Sequence, residues 1–184
     1  VRGDGPQHEV PVAAIRHHLD QGFRAVLLFA PGELRLSRLM EEEVHRIDYH
    51  ALRPGDVAVL RMMAPRGGPG TVFAASFMAA LQGTRLRGKV AVVTDGELSG
   101  LNSGITIGQV MPEAADGGPL AAVRDGDRIG IDLQQRRLEL EVSDDEVAAR
   151  LEDAKELPPA PKGWLSVYRR TVGPLSKGAV VEGD

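Results

Sequence analysis

The sequence predicts a mixed α/β domain built on short strands, and three observations carry that reading. Apolar runs of strand length, such as "VAVL" at 57–60 and "KVAVV" at 89–93, alternate with segments whose apolar residues recur at helical spacing. Glycine- and proline-rich turns separate the two kinds of segment. Finally, "VRDGDRIGIDLQQRRLELEV" (123–142) has the turn residues and period-2 alternation of an antiparallel hairpin. A partly closed barrel, or stacked sheets with helices outside, is the expected arrangement.

Each element follows in order. Residues 1–10 read as an entry arm, and 11–21 as a helix ending near Gly22. "FRAVLLFA" (23–30) reads as a strand, and "SRLMEEEVHRI" (37–47) as a helix with Ser37 as N-cap. A turn at Pro54-Gly55-Asp56 leads into a strand over 57–62. "APRGGPGT" (64–71) is a loop, "VFAASFMAALQG" (72–83) a helix, and 89–94 a buried strand. "GITIGQVM" (104–111) alternates like a further strand, and the hairpin strands lie within 128–142. Ser143 followed by Glu146 is a capping-box pattern at the head of a helix over 143–154. "LPPAPKG" (157–163) is a linker before the terminal "WLSVYRRTV" and "LSKGAVVEGD", and there is no internal repeat.

Bulk composition narrows the function classes. The chain has 184 residues, enough for one domain with a real core. A net charge of −4 and 4% aromatic residues do not suit a nucleic-acid binder, which needs a basic face and stacking rings. No apolar run is long enough to span a membrane, and there is no signal-peptide pattern. The absence of cysteine excludes disulfides, thiolate metal sites and a Cys nucleophile in this chain, and fits a cytoplasmic location. Val1 in place of Met points to a fragment of a longer chain.

The stretch "KVAVVTDGELSGLNSG" (89–104) ends a strand in a loop whose three glycines, Gly96, Gly100 and Gly104, stand around Ser99 and Ser103. Glycines permit close backbone approach, so this loop is either a site or a structural corner, and the residues alone leave the two at even odds. Neither serine stands in the G-x-S-x-G pattern of a nucleophile elbow. "GGPG" (67–70) lacks the Gly-Lys-Ser/Thr of a P-loop. His17-His18 read as surface residues, without carboxylates at metal-ligand spacing, and Glu41-Glu42-Glu43 as a solvated helix face.

The order of the motifs adds to this. "PGDVAVLRMMAPRGGPG", "KVAVVTDGELSG", "PEAADGGPLAAVRDGDRIGID", "RRLELEVSDDEVAAR" and a terminal "SKGAV" succeed one another over about residues 52–180. This string resembles the C-terminal domain of the dihydroxy-acid dehydratase and phosphogluconate dehydratase family, and residues 1–51 match loosely. The resemblance implies a swivelling β/β/α domain with a mixed, barrel-like sheet and flanking helices over 52–184. Residues 1–51 are then an arm, helix and strand leading into it. It also implies a hydro-lyase that converts a dihydroxy acid or sugar acid to a 2-keto acid. It implies further a larger N-terminal partner domain that carries the iron–sulfur cluster and Mg²⁺, so this chain is expected to bind neither and to be inactive alone. Ser99 takes the place of the serine that removes the α-proton, with Gly100, Asn102, Ser103, Gly68 and Gly70 as the implied substrate contacts.

The chain departs from the family pattern where that site is expected. Glu97 stands where an Arg is usual, Leu98 where an aromatic or Met is usual, and Gln109 where a His is frequent. Phe73 and Met63 stand where glutamates are usual, which removes oxygen ligands suited to Mg²⁺. Two alternatives therefore accompany the working dehydratase: a non-catalytic relative that binds a ligand or partner, and a separate small subunit that completes a site in another chain. An exposed remainder of the apolar stripe Phe73, Phe77, Met78 and Leu81 is expected to drive homo-oligomerisation.

Overall fold

The computed structural model describes residues 23–27, 52–68, 74–98, 103–154 and 162–181. The expected helices at 11–21 and 37–47, the residues Phe73, Ser99, Gly100, Asn102 and Gly70, and most of the 157–163 linker lie outside the described residues.

One six-stranded mixed sheet organises the domain. Its strands are β1 (Phe23–Leu27), β2 (Asp56–Leu60), β3 (Ala91–Thr94), β4 (Thr106–Ile107), β5 (Arg128–Asp132) and β6 (Arg137–Leu140), in the spatial order β4-β3-β2-β1-β5-β6. β1 to β4 are mutually parallel, in registers that set Leu27 beside Val59, Leu60 beside Thr94, and Val93 beside Ile107. β5 runs antiparallel to β1, and β6 antiparallel to β5. β1 thus occupies the middle of the sheet, between β2 and β5.

The strand sequences explain their places. "DVAVL" and "AVVT" are buried at every position, as expected for parallel strands covered on both faces. The predicted β5–β6 hairpin alternates instead, with Ile129 and Ile131 buried and Arg128 and Arg137 exposed. Its turn is held by the Asp132 carboxylate, which accepts from the backbone N–H of Gln134 and Gln135 at 2.9 and 2.8 Å.

Helix α1 (Ala75–Gln82) covers one face of the sheet. Phe77, Met78 and Leu81 pack with Leu52, Leu60, Met63, Leu86, Val90 and Val92 in one core cluster. All three of those helix residues are buried in the domain's own core, so they present no outward apolar stripe. The opposite cluster joins Val57, Val59, Val93, Ile129 and Ile131 to Ala114, Leu120 and Val123, which belong to or follow two short 3₁₀ turns, Ala114–Asp116 and Pro119–Ala122.

Helix α2 (Asp144–Glu152) starts as its sequence predicts. Ser143 Oγ accepts from Glu146 N at 3.3 Å, and three acidic residues fill the first turn, where the helix dipole favours negative charge. Arg150 ties α2 back to the domain through Asp127 at 2.6 Å and Ala122 O at 3.2 Å. Helix α3 (Trp164–Thr171) and a 3₁₀ turn at Leu175–Lys177 follow, and an antiparallel bridge joins Val172 to Val181 at the end of the described residues.

Candidate active-site edge of the sheet

Because β2, β3 and β4 are parallel and in register, their carboxyl ends open on one edge. Arg61, Met62 and Met63 follow β2, Asp95, Gly96 and Glu97 follow β3, and Gly108 and Gln109 follow β4. That edge is where open α/β sheets bind ligands.

Two buried carboxylates build the edge. Asp95, fully buried, accepts from the backbone N–H of Met62 at 3.1 Å, Met63 at 2.9 Å and Ala114 at 2.9 Å. One side chain therefore joins the ends of β2 and β3 to the 3₁₀ turn after Glu113. Gly96 allows this approach, since a Cβ there would stand 2.8 Å from Met63 O. Glu113, 1% exposed, accepts from the N–H of Arg66 at 3.1 Å and of Gly67 at 2.9 Å. The glycine loop is thereby tied to the same turn.

Desolvation raises both carboxyl pKa values, against the backbone N–H groups that hold the ionised forms down. Near Glu113, Asp116 and Asp95 add to the rise. A carboxyl whose folded pKa lies above its unfolded value contributes stability that is complete below the unfolded pKa and lost as pH rises through the folded one. The unfolded values are 3.8 for Asp95 and 4.5 for Glu113. Urea titrations of wild type and Glu113→Gln are expected to show wild type losing stability relative to the variant as pH rises above the unfolded value of 4.5. A difference that grows in wild type's favour over that range would mean the N–H bonds to Glu113 outweigh its burial.

The remaining groups at the edge are cationic or strained. Arg61 Nη1 donates to the carbonyls of Ala121 and Val123 at 2.9 and 3.1 Å, and burial lowers its pKa. Gln109 Nε2 donates to Glu97 Oε1 at 2.7 Å, linking the ends of β3 and β4. Met62 and Gln109 both have left-handed φ values, 63° and 56°, a strain that clusters at functional sites.

The residues implied as site groups are distributed as follows. Gly68 lies at this edge, buried, with its N–H donated to Ala64 O at 2.8 Å. Its amide is thus already committed to the loop. Ser103 lies elsewhere. Its neighbour Gly104 sits against Gly88, where a Cβ would be 3.0 Å from the Gly88 Cα, ahead of β3. β4 runs parallel to β3 and Ser103 precedes it, so Ser103 stands at the amino-terminal edge of the sheet, opposite Gly68 and Gly96. Met63, in the place of an implied glutamate, is buried in the α1 core cluster.

Asp95, Glu113, Arg66 and Arg169 received no role from the sequence. Asp95 and Glu113 stand within the motifs "TDG" and "PEA", but a carboxylate after a strand also reads as an ordinary turn residue.

Comparison with known proteins places this edge in a family. Residues 22–179 match the family described as dihydroxy-acid/6-phosphogluconate dehydratase C-terminal. A dihydroxy-acid dehydratase of Moorella thermoacetica is 43% identical over 152 residues, which is 82% of this chain and 28% of that protein. One of Methylococcus capsulatus is 48% identical over 131 residues, 70% of this chain and 23% of that protein. One of Methanosphaera stadtmanae is 37% identical over 156 residues, 85% of this chain and 28% of that protein. The chain thus spans about a quarter of the length of the curated relatives it matches. With the family match running over residues 22–179 and relatives 37–48% identical over 70–85% of its length, the chain belongs to the dihydroxy-acid/6-phosphogluconate dehydratase family, as its C-terminal domain.

Proposed function

We propose that this chain is the swivelling, barrel-like C-terminal domain of a cytoplasmic hydro-lyase that dehydrates a dihydroxy acid or sugar acid. Ser99 draws the α-proton, the β-hydroxyl leaves as water, and the resulting enol becomes the 2-keto acid. Gly100, Asn102 and the glycine loop with Gly68 and Gly70 line the substrate. The observation that carries the reading is the way Asp95, four residues before Ser99, fixes the loop ends of β2 and β3 at one edge. A glycine-rich loop leaving so anchored a point can present a side chain to a partner surface without carrying a binding pocket of its own.

The iron–sulfur cluster and Mg²⁺ of this reading belong to an N-terminal partner domain, because this chain's described residues do not fit them. The chain has no cysteine, and among the described residues no group of three or more His, Asp or Glu is placed to hold a metal ion. Asp95 and Glu113 spend both oxygens on backbone N–H groups. What this domain supplies is therefore the proton acceptor and its orientation. A serine hydroxyl is a weak base that acts only where its surroundings stabilise the alkoxide, so the chain alone is inactive.

A second reading, a fold-retaining relative without dehydratase activity, is favoured by Met63, buried among apolar side chains where a metal-binding carboxylate is expected. One comparison separates the two. In the full-length protein that carries this domain, Ser99→Ala is expected to lower turnover by about a hundredfold or more with thermal stability unchanged. Equal turnover in both proteins would remove the proton-transfer role from Ser99, and none in either would favour the non-catalytic relative.

A further inference from the structure

The two peptide units of Arg66 and Gly67 are gripped from both sides. Their N–H groups donate to the Glu113 carboxylate, at 3.1 and 2.9 Å. Their carbonyls accept from the Arg169 guanidinium of α3, Nε to Arg66 O at 2.8 Å and Nη2 to Gly67 O at 3.0 Å. An anion and a cation thus hold opposite edges of one backbone segment. Burial lowers the Arg169 pKa, and the Glu113 charge works against that fall. The Arg66 side chain reinforces the grip from the loop's own side. Its Nε and Nη2 donate to Val172 O, just after α3, at 3.2 and 3.1 Å, and its Nη1 meets Asp116 at 2.7 Å.

A loop held this way is oriented more firmly than its turn needs. Among the described residues the tight turn itself is closed by one backbone bond, Gly68 N–H to Ala64 O, and Gly67 packs directly on the Met62 backbone, where a Cβ would be 2.8 Å from Cα. The fork of a guanidinium fixes the direction of both carbonyls, which a lysine ammonium cannot do. We propose that Arg169 and Glu113 are positioning residues: across the Arg66–Gly67 backbone they set the direction in which the glycine loop leaves for the substrate. The proposal rests on the dehydratase reading, in which that loop lines the site.

The test has two arms. In the full-length protein carrying this domain, Arg169→Ala is expected to raise KM for the dihydroxy acid about tenfold or more and to leave kcat within about threefold, because the loop holds substrate and transition state alike. Millimolar guanidinium ion should restore part of the loss, whereas Arg169→Lys should restore little. On the present chain, amide exchange at Gly67 and Gly68 should quicken by about tenfold or more in Arg169→Ala and in Glu113→Gln, with Val92 and Val93 of β3 unchanged. Unchanged exchange at the loop, or equal quickening throughout the sheet, would overturn the clamp. Unchanged KM in an active enzyme would overturn its positioning role. If the wild-type protein does not turn over, it is the dehydratase reading that fails, and the exchange arm alone decides the clamp.

Discussion

Asp95→Ala is expected to lower the unfolding free energy by about 3–6 kcal/mol, because it leaves three N–H groups without their acceptor at about 1–3 kcal/mol each. Removing a buried charge relieves some desolvation, and water entering the space offsets more, which keeps the figure at the lower part of that sum. Even so, the loss is comparable to the whole stability of many domains, about 5–15 kcal/mol. Asp95→Asn should be nearly as harmful, since an amide offers one acceptor oxygen and turns an NH₂ toward the remaining donors. Urea denaturation of the two variants beside wild type measures this directly. A loss below about 1 kcal/mol for Asp95→Ala would mean that the loops hold their places without the carboxylate.

Gly118→Ala should be at least as damaging, for a steric reason. The φ of Gly118 is −68°, an ordinary value for any residue, so glycine is not needed there for backbone freedom. It is needed for space, because a Cβ would overlap Pro112 O and stand 2.8 Å from Glu113 O. Both contacts are backbone, and no side chain can swing aside. Gly118 N–H also donates to Glu113 O at 2.9 Å, so pushing this turn open moves the residue whose carboxylate holds the glycine loop. A cost of at least about 3 kcal/mol is expected, at the upper end for overpacking. The neighbouring Gly117 is the control. Its φ is 75° with open space around the missing Cβ, so Gly117→Ala should cost only about 1 kcal/mol of backbone strain. Thermal melts of the two variants followed by circular dichroism should separate widely, and similar midpoints would contradict the geometry.

The features legible in the sequence are those whose causes are local. The β5–β6 hairpin follows from alternation and a short turn, and α2 from the Ser143 cap, so both stand where their residues predict them. The strand before "TDG" is equally clear from its unbroken apolar run. What depends on distant pairing is not legible. The alternation of 104–111 announces a strand but not its direction. Only two of those residues form β4, and its parallel pairing with β3 is what carries Ser103 away from Gly68. The stripe over Phe73, Phe77, Met78 and Leu81 announces a helix with an apolar face but not how much of that face the domain keeps for itself, and the sheet buries Phe77, Met78 and Leu81. Asp95 and Glu113 are quoted easily as motif letters, yet their work lies in backbone amides up to 47 positions away, which no spacing rule anticipates.

The central place of β1 also bears on how the chain comes to be folded. Phe23 pairs with Ile129, so roughly a hundred residues must be looped together before the middle of the sheet is complete, and such closures slow folding. During synthesis β1 emerges before the other strands of this sheet, can pair with β2 on one side, and keeps its other edge open until β5 emerges. For that interval the nascent domain carries an unpaired strand edge of the kind that recruits other chains. Shielding by a chaperone or by a preceding folded domain matters most then, and a pause in translation between the codons of β4 and β5 would lengthen the exposure more than a pause elsewhere.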